Sequence, residues 1–214
     1  MHRQFRLSSL FKSPWCRTSA SFRGQVTINA CKLETRDEKE KRRLIDDHKE
    51  RVRKLAGEDK CLVIYSDGSI GFLQVRAAAV GFHKGKEVFH KRMGMGGRAE
   101  VHDAEMAGLM MGARLAARFT TSQPEITKVI FFVDSSAAAG AIFDPKPGPG
   151  QLYAAKFHHK MTKFLNGNTT HSIKVAWCPS HCNIPGNDRA DELAKEATQL
   201  AWSTPIGTSR VFAL

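Results

Sequence analysis

Apolar residues fall in short runs, and these alternate with stretches of helical period. Cys61-Leu62-Val63-Ile64-Tyr65-Ser66 reads as a buried strand. Residues 74–82, rich in alanine and valine, read as a second. Residues 87–93 read as a third, entered after a turn at Gly85 and left through Gly94-Met95-Gly96-Gly97. Short connections between successive strands predict an antiparallel meander. Residues 101–118 then carry a helical pattern, with Leu109, Gly112, Leu115 and Ala116 on one side. Residues 128–133 predict a fourth strand, and Ser135-Ser136 opens a short alanine-rich helix. After the Pro/Gly-rich loop 144–150 come a helix over 151–165, a fifth strand over 172–178 and a closing helix over 187–200. Strands separated by helices add in parallel. The expected fold is α/β: a mixed five-stranded sheet, three antiparallel strands and then parallel additions, flanked by helices.

The flanks differ from this core. Residues 1–33 hold six basic residues and no acid, and residues 34–59 hold nine of each. Residues 60–214 hold eighteen basic and twelve acidic residues, so the charge runs +6, 0 and +6 and sums to the chain's +12. Four domain segments follow: a basic tail outside the fold over 1–33, a charged helical linker over 34–58, a globular domain over 59–200 and a loosely ordered tail over 201–214. The first has the composition either of a disordered basic tail or of a mitochondrial targeting segment. In the second, Asp46/Lys49 and Asp47/Arg51 are spaced for helix-surface pairing. Its apolar positions, Leu44, Ile45, Val52 and Leu55, are too sparse to build much core. A compact part this basic suits a polyanion, with nucleic acid ahead of an anionic membrane. No apolar run approaches the ~18 residues of a membrane span. The five cysteines (Cys16, Cys31, Cys61, Cys178 and Cys182) are odd in number and irregular in spacing. They make a disulfide framework a poor reading and an intracellular setting, cytoplasmic or nuclear, the default, with mitochondrial if the first segment is a targeting signal.

Acidic residues stand where strands and helices present them. Asp67 ends the first strand run and Asp134 ends the fourth. Glu105 shares the side of its helix that carries Gly108, Leu109 and Gly112, and Asp191 lies in the closing helix. Each alone reads equally well as a cap or a surface acid. Brought together, such carboxylates repel one another unless cations lie between them, which points to metal-dependent phosphate chemistry. Cys178, His181 and Cys182 lack a fourth partner and fit no zinc-finger spacing.

The segments Tyr65-Ser66-Asp67-Gly68-Ser69, Asp103-Ala104-Glu105, Phe132-Val133-Asp134-Ser135 and Trp177 through Asp191 resemble those of a type 1 ribonuclease H domain. The flavour is that of the ribonuclease H domains of fungal and other non-long-terminal-repeat retrotransposon polyproteins. The stretch Trp177 to Asp191 is the most specific, and the likeness covers ~59–200 in element order as well as motif.

This resemblance implies a ribonuclease H-like fold. It also implies a metal-dependent endoribonuclease that cuts the RNA strand of RNA–DNA hybrids, leaving 3′-hydroxyl and 5′-phosphate ends. Asp67, Glu105, Asp134 and Asp191 match the family's metal-binding acids, and His181 its mobile-loop histidine. Asp188 stands where a glutamate is frequent near the metals, a departure that leaves its role open. Two Mg²⁺, for which Mn²⁺ can substitute, would lie about 4 Å apart. Gly68, Ser69 and Ser135 are candidate nucleic-acid contacts. Lys156, Lys160 and Lys163 stand in the interval where some relatives carry a basic protrusion, and they read as phosphate contacts or as a solvated face. The chain has no Tyr-x-Asp-Asp polymerase motif, so a reverse transcriptase would be a polyprotein partner. The expected molecule is a monomer with an RNA–DNA hybrid as its ligand and no membrane association. Two alternatives stand beside this reading: a catalytically idle nucleic-acid-binding remnant, or a nuclease of the same fold acting on DNA.

Overall fold

Strands β2 (Cys61–Gly71), β3 (Gln74–His83) and β4 (Lys86–Gly96) form the antiparallel meander of the computed structural model, which describes residues 25–29, 37–71, 74–97, 99–143 and 148–197. β5 (Lys128–Val133) and β6 (Ser172–Trp177) extend it in parallel from β2. The sheet has six strands, one more than the sequence pattern predicts, because β1 (Val26–Asn29) adds in parallel beside β6. Val26-Thr27-Ile28 has strand chemistry, but four residues inside an Arg/Ser-rich stretch carry too little periodicity to be read. The basic stretch 1–33 therefore contributes an edge strand through residues 26–29. Its proposed targeting segment up to residue 24 lies outside the described residues, as do positions 144–147 of the Pro/Gly loop and the segment 201–214.

Helices cover both faces. Helices α2 (Val101–Ser122), α3 (Ser136–Ala141) and α4 (Gln151–Gly167) pack on one face over Leu62, Ile64, Val129 and Phe131. α5 (Pro185–Glu196) covers the other face over Val63, Tyr65, Ile130 and Phe132. The strands bury alternate residues toward each cluster, as a sheet buried on both sides requires. Pro185 stands in the first turn of α5, where its missing N–H costs nothing, so the helix begins two residues earlier than its pattern suggests.

α1 (Glu38–Ala56) is a charged helix, as expected, yet it buries His48 and Leu55 on the α5 face. The His48 ring lies edge-on to Phe132 at 4.6 Å between centroids, and burial pulls its pKa down to about 4, so the imidazole is neutral. The predicted Asp47/Arg51 and Asp46/Lys49 pairs do not form among the described residues. Arg51 lies over the Phe132 ring at 5.0 Å, and Asp47 instead faces Arg43 at 3.8 Å.

Candidate active site

β2 and β5 are parallel neighbours whose last paired residues are Ser66 and Val133. The next residue of each is an aspartate, so Asp67 and Asp134 stand side by side where the β2–β5 pairing ends. β5 stops there, but β2 runs on to Gly71 along β3, so Asp67 lies within its strand rather than at the end that the sequence pattern predicts. Open α/β sheets carry their sites at the carboxyl ends of the parallel strands. Trp177 Nε1 donates to the Asp134 carbonyl at 3.0 Å, tying β6 to the same end.

Glu105 arrives from α2, and glycines set the approach. A Cβ on Gly68 would lie 2.4 Å from the Glu105 amide nitrogen, and one on Gly108 would lie 2.9 Å from the Ala78 carbonyl. Only glycine permits α2 to lie this close to β2 and β3. The Gly68 N–H lies near enough to the carboxylates of Asp67 and Glu105 to favour the charged form of each, against their burial. At its start α2 is held by Asp103, which is fully buried. Its carboxylate accepts from the Glu100 amide within a capping box and from the Gly150 amide at 2.7 Å, pinning the α4 entry to the α2 entry.

Asp67, Glu105 and Asp134 bring one carboxylate oxygen each to within 4.8 Å of one another. Burial is the first cost of this arrangement and mutual repulsion the second. Burial pushes Asp67 up to about 7, with Asp134 and Asp191 adding to it, and it pushes Glu105 well above the usual carboxylate range, with Asp134 and Asp67 adding. Asp134 is raised too, chiefly by burial, while His181 and a hydrogen bond from Asn187 pull the other way. Glu105 Oε2 is buried without a hydrogen-bond partner. Oxygen donors, unrelieved repulsion and an orphaned buried carboxylate oxygen together fit hard divalent cations.

Asp191 stands outside this group of three. It lies close enough for its charge to act on Asp67 and Asp134, but Lys195 Nζ holds its Oδ2 at 2.5 Å one helical turn away. His181 is exposed in the loop before α5. Its φ of 53° and the same value at Asn183 put two non-glycine residues in left-handed conformations there. Asp188 is half-buried in the first turn of α5. Ser69 is half-buried on β2, and Ser135 spends its Oγ capping α3 by accepting from the Ala138 amide at 3.1 Å.

Lys156, Lys160 and Lys163 lie along α4, and the two later ones face the C-terminal half of α2, away from the acids. The sequence pattern does not single out Asn187, whose buried amide donates to Asp134 and accepts from the Cys178 thiol at 3.3 Å. A buried amide in a first helical turn leaves no periodic trace; its place inside the Trp177–Asp191 stretch is the only sequence signal.

No curated protein sequence matches the chain. Among solved structures it is similar to LC11-RNase H1, isolated from compost by a metagenomic approach: 20% identity, 64% of this chain and 95% of that one covered, TM-score 0.50. It is also similar to RNase H1 from the halophilic archaeon Halobacterium salinarum NRC-1, at 20% identity, 64% and 97% coverage and TM-score 0.47. A third similar structure is LC11-RNase H1 in complex with an RNA/DNA hybrid, at 18% identity, 64% and 95% coverage and TM-score 0.47. The RNase H family model matches residues 59–199, spanning the meander, all the parallel additions after it and every acid of the site. With its fold, its clustered carboxylates and that match in agreement, the chain belongs to the RNase H family.

Proposed function

We propose that this protein is a type 1 ribonuclease H: a divalent-metal-dependent endonuclease that hydrolyses the RNA strand of RNA–DNA hybrids to 3′-hydroxyl and 5′-phosphate ends. The observation that carries the reading is the trio Asp67, Glu105 and Asp134, whose oxygens converge within 4.8 Å at the sheet's carboxyl end. Asp67, Glu105 and Asp134, with Asp191 from α5, would hold Mg²⁺, or Mn²⁺ in its place. Divalent cations bound there supply neutralisation of the scissile phosphate and a more acidic water.

The chain's own residues do the rest. Gly68, by letting the α2 backbone approach β2, sets the spacing of Asp67 and Glu105. Asn187 orients Asp134 through its carboxylate. His181, exposed on its loop and near enough for its charge to act on Asp134, would hand a proton to the leaving 3′-oxygen. Asp188, in the first turn of α5, would bear on the cations through water. Gly68, Ser69 and Ser135 flank the acids; Gly68 and Ser135 would offer backbone groups and Ser69 its hydroxyl to the substrate, whose RNA strand is distinguished by its 2′-hydroxyls. The same motifs support kinship with retrotransposon polyprotein domains that work beside a reverse transcriptase. Placement of this sequence in a tree of the family checks that kinship.

The test is cleavage of a labelled RNA–DNA hybrid with Mg²⁺, beside single-stranded RNA, duplex RNA and duplex DNA, with Asp134→Asn in parallel. Hybrid-only cleavage that disappears in the variant is the expected result. Cleavage of duplex DNA would move the assignment to a DNA nuclease of the same fold. A folded, hybrid-binding protein that cuts nothing would make it an idle remnant.

A further inference from the structure

At the far end of α2 from the acids, a groove of about 590 Å³ opens between α2 and α4. Arg114 and Arg118 line it from one side, Lys160 and Lys163 from the other, with His171 at its end. No acidic side chain lines it. None of these four cations enters an ion pair among the described residues, whereas Arg53, Lys54, Arg189 and Lys195 all pair with acids on their own helices. Four unpaired positive charges are thus brought together in one recess with no acid among its lining. Nearby Lys156 has its pKa lowered, by burial first and then by the charge of Arg114.

The rise of ~1.5 Å per residue puts Arg114 about 13 Å and Arg118 about 20 Å along the helix from Glu105. The groove is therefore separate from the acidic cluster. Its shape selects among polyanions. The cations run along two helices as a strip, which suits an extended chain of phosphates better than one compact phosphate. A planar lipid surface would not reach recessed charges, and the exposed large apolar residues among the described ones, Ile70, Val101 and Leu152, lie outside the groove. A duplex is wider than the gap between helices whose axes pack at about 8–10 Å.

We propose that the α2–α4 groove is a second nucleic-acid site that binds the phosphate backbone of a single strand, such as the unpaired extension of a hybrid held at the acidic cluster. The link to the hybrid rests on the ribonuclease H reading; the groove's preference for a single strand does not.

The full chain bearing Asp67→Asn, which separates binding from cleavage, is titrated with a blunt RNA–DNA hybrid and with the same hybrid carrying a single-stranded extension. The extension is expected to tighten Kd about tenfold at low salt. Adding Arg114→Gln, Arg118→Gln, Lys160→Gln and Lys163→Gln should abolish that gain and lower the salt slope for the extended ligand by about 3, at ~0.7 per phosphate of a single strand. A charge-matched control neutralises Lys39, Arg42, Arg43 and Lys86, all exposed and away from the groove, and should keep the gain. Equal binding of the two ligands by the parent overturns the proposal. So does a gain that survives in the groove variant, or one lost equally in the control. Inorganic polyphosphate that binds the groove when single strands do not would also overturn it, leaving a general anion site. Failure of the catalytic reading shows elsewhere, as absence of cleavage by the unmutated chain, and leaves these binding outcomes readable.

Discussion

The backbone of Glu105 passes so near Gly68 that a methyl group on Gly68 would stand 2.4 Å from the Glu105 amide nitrogen and 2.8 Å from the Ala104 carbonyl carbon. Both atoms are backbone, so neither can swing aside. Gly68→Ala must push α2 away from β2 and carry the Glu105 carboxylate with it. The expected outcome is about a hundredfold loss of kcat, since a misplacement near 1 Å costs that much at a positioned site. Overpacking should cost about 1–3 kcal/mol of stability. Single-turnover cleavage and urea unfolding measure the two effects separately; unchanged cleavage in a folded variant would refute the tight-approach account.

The acids should make the metal-free protein less stable as pH rises. Asp67 has its pKa raised from an ordinary 3.8 to about 7, and Glu105 and Asp134 move in the same direction. A folded state that holds protons more tightly than the unfolded chain loses stability as pH climbs. Asp67's contribution is fully present below about pH 4 and is lost as pH passes through about 7. Asp67→Asn removes that dependence and should raise stability at pH 8 by about 1–2 kcal/mol, while abolishing cleavage and leaving hybrid binding largely intact. Denaturant unfolding of both proteins in chelator, at pH 5 and pH 8, measures the difference. A variant no more stable than the parent at pH 8 would show that the acids are not in conflict. Saturating Mg²⁺ should erase the parent's pH-dependent loss.

How much of this was legible in the sequence depends on the kind of signal each residue leaves. The apolar runs before Asp67 and Asp134 announce both strands, because alternation and β-branching act over several residues. Asp134 follows the end of β5 as expected, whereas β2 continues past Asp67 to Gly71 because β3 pairs with its polar, glycine-rich extension. Register is harder: that Ser66 faces Val133 follows from pairing, which no single run encodes. β1 was hidden by its shortness, and the expected solvation of α1 missed that His48, a polar residue by type, is neutral and packed on Phe132. Asp191 matches the family motif, yet its partner here is Lys195, a contact set by one helical turn that the motif does not include. Gly68, Gly108 and Gly112 look like ordinary glycines until the sheet is present for α2 to lie against.

Asn187 should set the pH at which Asp134 works. Its amide donates to the Asp134 carboxylate and so favours the charged form, against the burial that raises it. Asn187→Leu keeps the volume and removes the donor. Asp134 should then hold its proton to higher pH, and the acid limb of the pH–rate profile should move upward. The loss in kcat at pH 7 should be about tenfold and should shrink toward pH 9 as the carboxylate ionises again. A purely structural role for Asn187 would instead lower the rate equally across the profile.

Lys195 should compete with any cation that approaches Asp191. Its Nζ sits 2.5 Å from Asp191 Oδ2, and its charge is also felt at Asp67. The pair spans one turn of α5 with Lys195 largely exposed, so its worth to folding is small, about 0.3–0.5 kcal/mol for such a pair. Its effect on the acids is larger in consequence, because a fixed positive charge beside them opposes the arrival of another. Lys195→Met keeps the aliphatic stem, frees Asp191 and removes that charge. Divalent-cation affinity measured by calorimetry should tighten about threefold to tenfold at low salt, with the gain narrowing as salt screens the exposed charge. Melting should change little. If instead Mg²⁺ binding weakens in the variant, Lys195 is orienting Asp191 for the cation rather than occupying it, and the two roles are separated by that sign alone.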